Sequence, residues 1–211
     1  MSTAMSALSR RRLFATAAAA ALLSACGSDP VPRDTFYRLG AAAAPAARAG
    51  GPIHGVLEVP PLRASGIVNE RAILYRDGPR QLAQYSYNSW VEPPALLLQR
   101  ALIGVLRQAQ AFDQVVSPDM RLDRDFELHG DLRQWEHVRG EGQNAAAIEI
   151  EIAIRRVRNN SQLLLKTYRA TEAAQGEGVD AAVAAFTRGM DSIYSALLTD
   201  LAAIPAEAPR R

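Results

Sequence analysis

The sequence predicts an α+β fold: a mostly antiparallel sheet with two amphipathic helices packed on one face, in a single domain. Three observations carry that expectation. Ile148, Ile150, Ile152 and Ile154 alternate with Glu149, Glu151 and Arg155, the period-two pattern of a strand with one packed face and one wet face. Two other stretches repeat their apolar residues at helical spacing. One holds Leu98, Leu102, Val105 and Ala109, with Leu97 and Leu106 beside them; the other holds Val183, Phe186, Met190, Ile193, Leu197 and Leu201. Asp77-Gly78-Pro79 and Asn159-Asn160 are turn signals short enough to return a strand beside its predecessor.

Taken in order, Thr35 to Leu39 reads as a first strand, and the Ala-, Gly- and Pro-rich residues Gly40 to Pro52 as a flexible connection. Ile53 to Val59 is the second strand, stopped by Pro60-Pro61, and Leu62 to Gly66 a loop. Arg71 to Arg76 and Gln81 to Trp90 form a hairpin across the Asp77-Gly78-Pro79 turn. Glu92-Pro93-Pro94 ends that hairpin and opens a helix, because proline lacks only an N–H that the first helical turn does not use. Arg100, Arg107, Gln108 and Gln110 make its polar flank, and the helix ends near Ala111-Phe112. A short strand at Val115-Val116 follows, closed by Ser117-Pro118. Phe126, Leu128 and Leu132 alternate with Asp125, Glu127 and Asp131, the Ile-rich strand comes next, and Leu163 to Ala170 returns after Asn159-Asn160. Gly176 to Gly178 breaks the pattern before a last helix over Val179 to Ala203, capped by Asp180 and ended by Pro205.

The N-terminus has a different grammar. Arg10, Arg11 and Arg12 precede an apolar run from Leu13, and the run closes on Leu23-Ser24-Ala25-Cys26. A charged head, a short apolar core and small residues before a cut form an export signal. The run is too short to cross a hydrocarbon core, which takes roughly 20 helical residues. Leu23 to Cys26 resembles the bacterial lipobox, which implies cleavage before Cys26 and acylation, by chains such as palmitate, of its sulfur and new amino terminus. More than one chain is needed for a stable anchor. Ser9 to Phe14 also resembles a twin-arginine signal, and the general secretion route is left open beside it. Gly27 after the cysteine, by resemblance to lipoprotein sorting rules, favours the outer membrane, facing the periplasm. The expected division is a signal peptide over 1–25, a tether over 26–34, one domain over 35–205 and a loose tail over 206–211.

Removing the leader takes 25 of the 211 residues and leaves 186, enough for one domain with a sizeable core. It also takes three of the 24 basic residues and none of the 22 acids, so the mature body is close to neutral. No basic stripe remains to support nucleic-acid binding. Cys26 is the only cysteine, so no disulfide is possible within the body. His54, His129 and His137 are read as surface or rim residues without metal-ligand spacing, and neither a metal nor a cofactor is expected. Ser65, Ser86 and Ser161 have no nucleophile elbow around them, and there is no phosphate loop, so no catalytic residue is assigned. Asp123, Asp125, Glu127 and Asp131, interleaved with Arg121, Arg124 and Arg133, read as the solvated face of a strand. Tyr75, Tyr85, Tyr87 and Trp90 crowd one hairpin; cross-strand packing is the favoured reading, and a partner surface on Tyr85, Tyr87 and Trp90 the other.

Leu57-Glu58-Val59-Pro60-Pro61-Leu62, Leu74-Tyr75-Arg76-Asp77-Gly78 and the run Tyr85 to Pro94 together resemble the ABC-type transport auxiliary lipoproteins, the PqiC-like group. Leu128-His129-Gly130-Asp131-Leu132 matches in layout, and Asn88-Ser89 departs from the His-Arg-like pair usual there. The resemblance covers nearly all of the mature chain. It implies a non-enzymatic component that works beside an MCE-domain substrate-binding protein, a permease and an ATPase in lipid movement between envelope membranes. Its part would be to dock or brace the MCE assembly, with a homo-oligomeric ring as one form of that body. The rival readings are a structural envelope lipoprotein without a transport partner and an envelope hydrolase.

Overall fold

The computed structural model describes residues 32–42, 51–140 and 142–205, and the chain from Asp34 onward forms one compact unit. The leader, Cys26, most of the tether and the tail 206–211 lie outside the described residues. The elements are β1 (Thr35–Tyr37), β2 (Ile53–Glu58), β3 (Arg63–Ala64), β4 (Ala72–Arg76), β5 (Ala83–Trp90), α1 (Pro94–Gln108), β6 (Phe112–Val116), β7 (Phe126–Gly140), β8 (Gln143–Arg156), β9 (Gln162–Ala173) and α2 (Gly178–Ala202). Short 3-10 turns at Gly66–Asn69 and Pro118–Met120 fill two of the connections.

The long strand β7 is the spine of the sheet. One edge pairs antiparallel with β8, which pairs antiparallel with β9. The other edge takes three short strands in succession, all parallel: β2 at Leu57 opposite Phe126, β3 at Arg63 opposite Asp131, and β4 at Tyr75 opposite His137. β5 pairs antiparallel with β4, while β1 on β5 and β6 on β2 are parallel. The α+β class stands, but the sheet is mixed rather than mostly antiparallel. The parallel half arises because β2, β3 and β4 all run the same way along one edge of a later strand.

A bulge sets what faces the core. The β7–β8 register shifts between Leu132 and Gln134, so one residue of β7 is extra. Before the bulge Phe126, Leu128 and Leu132 are buried opposite Arg156, Ile154 and Ile150; beyond it Trp135 and His137 are buried opposite Ile148 and Ala146. His137, expected on the surface, is therefore 2 % exposed. His54 and His129 do keep exposed side chains.

Both helices bury their apolar stripes in one shared core. α1 begins at Pro94, and the Pro93 carbonyl accepts the N–H groups of Leu96 and Leu97. The buried Gln99 amide donates to the Val59 carbonyl at 2.8 Å, and the Arg107 Nε to that of Val115 at 2.7 Å, which ties α1 to the strands it follows and precedes. α2 begins one residue earlier than expected. Glu177 precedes it with extended backbone, and Asp180 lies in the first turn rather than at the cap. α2 comes close to the sheet at Gly189, where an added Cβ would meet Ile148 Cδ1 at 2.8 Å and Ala170 Cβ at 3.5 Å.

Candidate functional site

β5 carries the three aromatic residues singled out from the sequence, and the structure separates them. Trp90 is fully buried. Its ring meets Phe186 edge-on at 5.4 Å and Trp135 at 5.5 Å, and Trp135 meets Phe186 at 4.4 Å. Its backbone N–H donates to the Arg71 carbonyl at 2.6 Å. Trp90 thus belongs to the core and not to a partner surface: as the last residue of β5 it points at α2, and only packing surrounds it. Tyr87 is 48 % exposed and has a positive φ of 61°, a strained conformation for a bulky residue. Phe36, on the neighbouring edge strand β1, is 55 % exposed with the Arg71 guanidinium 5.4 Å from its ring centre.

Tyr85 enters a polar chain that closes the hairpin end of the sheet. Arg139, at the end of β7, donates twice to the Asp77 carboxylate, at 2.5 and 3.0 Å, and once to the Tyr85 hydroxyl at 3.3 Å. The same guanidinium lies 3.8 Å from the Tyr75 ring centre and 5.2 Å from that of Tyr85. The Tyr85 oxygen sits 2.8 Å from His137 Nδ1, and His137 Nε2 sits 2.7 Å from Asn144 Oδ1. The Asn144 amide donates to the Gly176 carbonyl at 2.7 Å. That donation fixes which way the amide points, so Oδ1 must accept, and the ring proton lies on Nε2. Tyr85 then donates to Nδ1 and accepts from Arg139.

The electrostatics follow the hydrogen bonds. The Arg139 hydrogen bond, helped by its charge, holds the Asp77 carboxyl below its ordinary range against opposing desolvation. Asp77, in turn, holds Arg139 firmly protonated. Burial pushes the Tyr85 phenol up, and Arg139 only partly offsets it. Both histidine nitrogens, the phenol and the guanidinium are occupied by one another. This arrangement fixes positions: the Tyr85 hydroxyl lies beside the His137 imidazole and is also held by Arg139. Among the described residues, no group of three or more His, Cys, Asp or Glu side chains could hold a metal ion.

The acidic run lies on the outer face expected of it, with Asp123 and Asp125 exposed, but Glu127 and Asp131 within it are ion-paired. Glu127 is largely buried and takes Arg155 at 2.7 Å, with Arg124 at 3.8 Å. Arg124 also reaches the buried Glu58 at 3.2 Å. Farther along the outer face, Arg133 pairs with Glu151 at 2.8 Å and Arg169 with Glu149 at 2.8 Å. Within the run, β8 supplies Arg155 to Glu127, while Asp131 is paired by Arg63 of β3 and by Arg133, and these pairings are visible only once the strands are in register.

Sequence reasoning found the aromatic hairpin but missed Arg139, His137 and Asn144. Each lies near the β7–β8 turn, where a bulge had already changed the inward parity. The described residues contain no helix long and apolar enough to cross a membrane. Cys26 lies outside them.

A crystal structure of protein XCC0632 from Xanthomonas campestris has the same fold, with a TM-score of 0.69 at 19 % identity, covering 78 % of this chain and 92 % of that one. A second crystal structure, of an uncharacterized protein, aligns with a TM-score of 0.63 at 15 % identity, covering 81 % and 99 %. Comparison with curated proteins finds no match. The family model described as "ABC-type transport auxiliary lipoprotein component" matches residues 37–197, from β1 through most of α2. The chain belongs to that family, the ABC-type transport auxiliary lipoprotein components.

Proposed function

We propose that this auxiliary lipoprotein is the docking component of an MCE-associated ABC system. In this reading it is acylated at Cys26 and held on the periplasmic side of the outer membrane. The folded body receives or braces the MCE assembly during lipid movement between membranes, as a ring of copies or singly, while the ATPase and permease do the work elsewhere. The observation that supports it is the family match over residues 37–197. The site's chemistry agrees: the polar clusters at the hairpin end and on the outer face are paired internally, which suits a rigid docking body better than bond-making. Of the β5 aromatics, Tyr87 offers the exposed contact, while Tyr85 is held in the polar chain.

Acylation and docking are separately testable. Fatty-acid labelling of wild type and Cys26→Ser should show incorporation in wild type alone. Detergent-solubilised envelopes should return an MCE-domain protein with the wild-type chain, and Tyr87→Ala should reduce its recovery. Labelling without any recovered MCE protein would favour a structural lipoprotein instead.

A further inference from the structure

Phe36 is the most exposed large apolar side chain among the described residues. A lone exposed ring is ordinary on a protein surface, so its setting decides what it means. β1 lies at one end of the sheet path and pairs on one side only, with β5. Tyr37 lies opposite Trp90 and packs on the core, so Phe36, opposite Ser89, points to the outer face. The Arg71 guanidinium is 5.4 Å from its ring centre, and the Arg71 Nε donates to the Trp90 carbonyl at 3.2 Å, which holds the cation beside the ring. Arg33 and Arg38 flank β1 and are exposed.

These arginines differ from the ones paired across β7, β8 and β9. Arg133 is bound to Glu151, Arg155 to Glu127 and Arg169 to Glu149. Arg33, Arg38 and Arg71 make no ion pair among the described residues, although Asp34 and Glu70 adjoin two of them in sequence. An exposed ring with unneutralised guanidinium groups beside it suits a bilayer surface. The ring settles at headgroup level, and the guanidinium fork matches phosphate oxygens. Chain length puts such a surface at hand. Nine residues separate Thr35 from Cys26, a reach of at most about 32 Å. An acylated Cys26 therefore holds β1 at high effective concentration near lipid, where even a weak contact is occupied.

We propose that the β1 edge of the body lies on the bilayer that holds Cys26, with the Phe36 ring at headgroup level and Arg38 and Arg71 on lipid phosphates. The contact rests on acylation at Cys26 and needs no protein partner.

The test reconstitutes the full chain, purified from envelopes, into vesicles of phosphatidylethanolamine and phosphatidylglycerol, with and without doxyl-labelled phosphatidylcholine as quencher. Trp90 and Trp135 are buried and give a low background, so Phe36→Trp reports the contact. Leu165→Trp is the control, because Leu165 is 53 % exposed on β9, which pairs only with β8. Wild type and both variants should float with the vesicles. The emission lost to the quencher, beyond that of wild type, should be several-fold larger in Phe36→Trp than in Leu165→Trp. Adding Arg38→Glu and Arg71→Glu to Phe36→Trp should reduce that loss several-fold at an unchanged melting temperature. Should the Arg71 variant lose stability, Arg38→Glu alone carries the same test. Equal quenching at the two positions in chains that float would overturn the proposal and leave acylation standing. A wild-type chain that fails to float would overturn acylation, and the proposal with it. Quenching unaffected by the charge reversals would overturn the proposal too.

Discussion

The two ends of β5 receive aromatic residues of similar size and treat them in opposite ways. At its C-terminal end Trp90 is enclosed by Trp135 and Phe186, and even its indole N–H is left without a partner. Five residues earlier, Tyr85 is held by a histidine, an arginine and a tyrosine ring, with every polar atom assigned. The first site gains from excluded water and dispersion; the second gains little net energy but fixes direction. Between them lies Tyr87, strained and exposed, which serves neither the core nor the polar chain. A strand that needs a rigid end and a dry end can spare one residue between them for outside contact.

Breaking the dry end should have the largest effect. Trp90→Ala should cost about 3–5 kcal/mol in urea unfolding, since the cavity cannot collapse between a helix and a sheet. A loss under about 1 kcal/mol would mean that the cluster repacks and the contrast is false. Breaking the polar end comes second. His137→Leu leaves the Tyr85 O–H donor and the Asn144 carbonyl oxygen without their partner and should cost about 1–3 kcal/mol, measured the same way.

Tyr87→Gly tests the residue between. Relief of the left-handed backbone and the added freedom of the unfolded chain oppose each other, so stability should change by less than about 1 kcal/mol in the stabilising direction. MCE-protein recovery should nevertheless fall. If stability drops sharply, Tyr87 is a structural residue and its exposure carries no message.

The smallest effect is pH-dependent and sharpens the contrast, because only the polar end titrates. Asp77 has a carboxyl held below its ordinary range by Arg139. A depressed folded value contributes stability that is full above the unfolded carboxylate range and disappears as pH falls through the folded value. The wild type should therefore exceed Asp77→Asn by a constant margin from pH 5 to 8, and the margin should shrink below about pH 4. Trp90→Ala should show no such dependence. High salt should narrow the Asp77 margin as well, because the pair is exposed.

What could be read from the sequence was local. The isoleucine strand, both helices and the Asp77-Gly78-Pro79 turn announce themselves within a dozen residues, because periodicity and turn chemistry act at that range. Parallel pairing does not. Nothing near Leu57 or Tyr75 says that Phe126 and His137 will lie beside them. The buried state of His137 was hidden by one extra residue in β7, which exchanges the inward and outward sets without changing composition. Trp90 illustrates the same limit: packing is the favoured reading of the sequence and a partner surface the other, and the residues that decide it, Trp135 and Phe186, lie far along the chain.

The dependence of three early strands on a single later one has a consequence for synthesis. β2, β3 and β4 leave the ribosome before α1 and β6, while the backbone they need lies in Phe126–Gly140. Pairings this distant form slowly because a large loop must close first. A chain interrupted before Phe126 can form the β1–β5–β4 group and the β2–β6 pair, but has no strand to join the two. β7, β8, β9 and α2 follow one another directly, so they can assemble as a meander with its helix and then recruit the earlier strands.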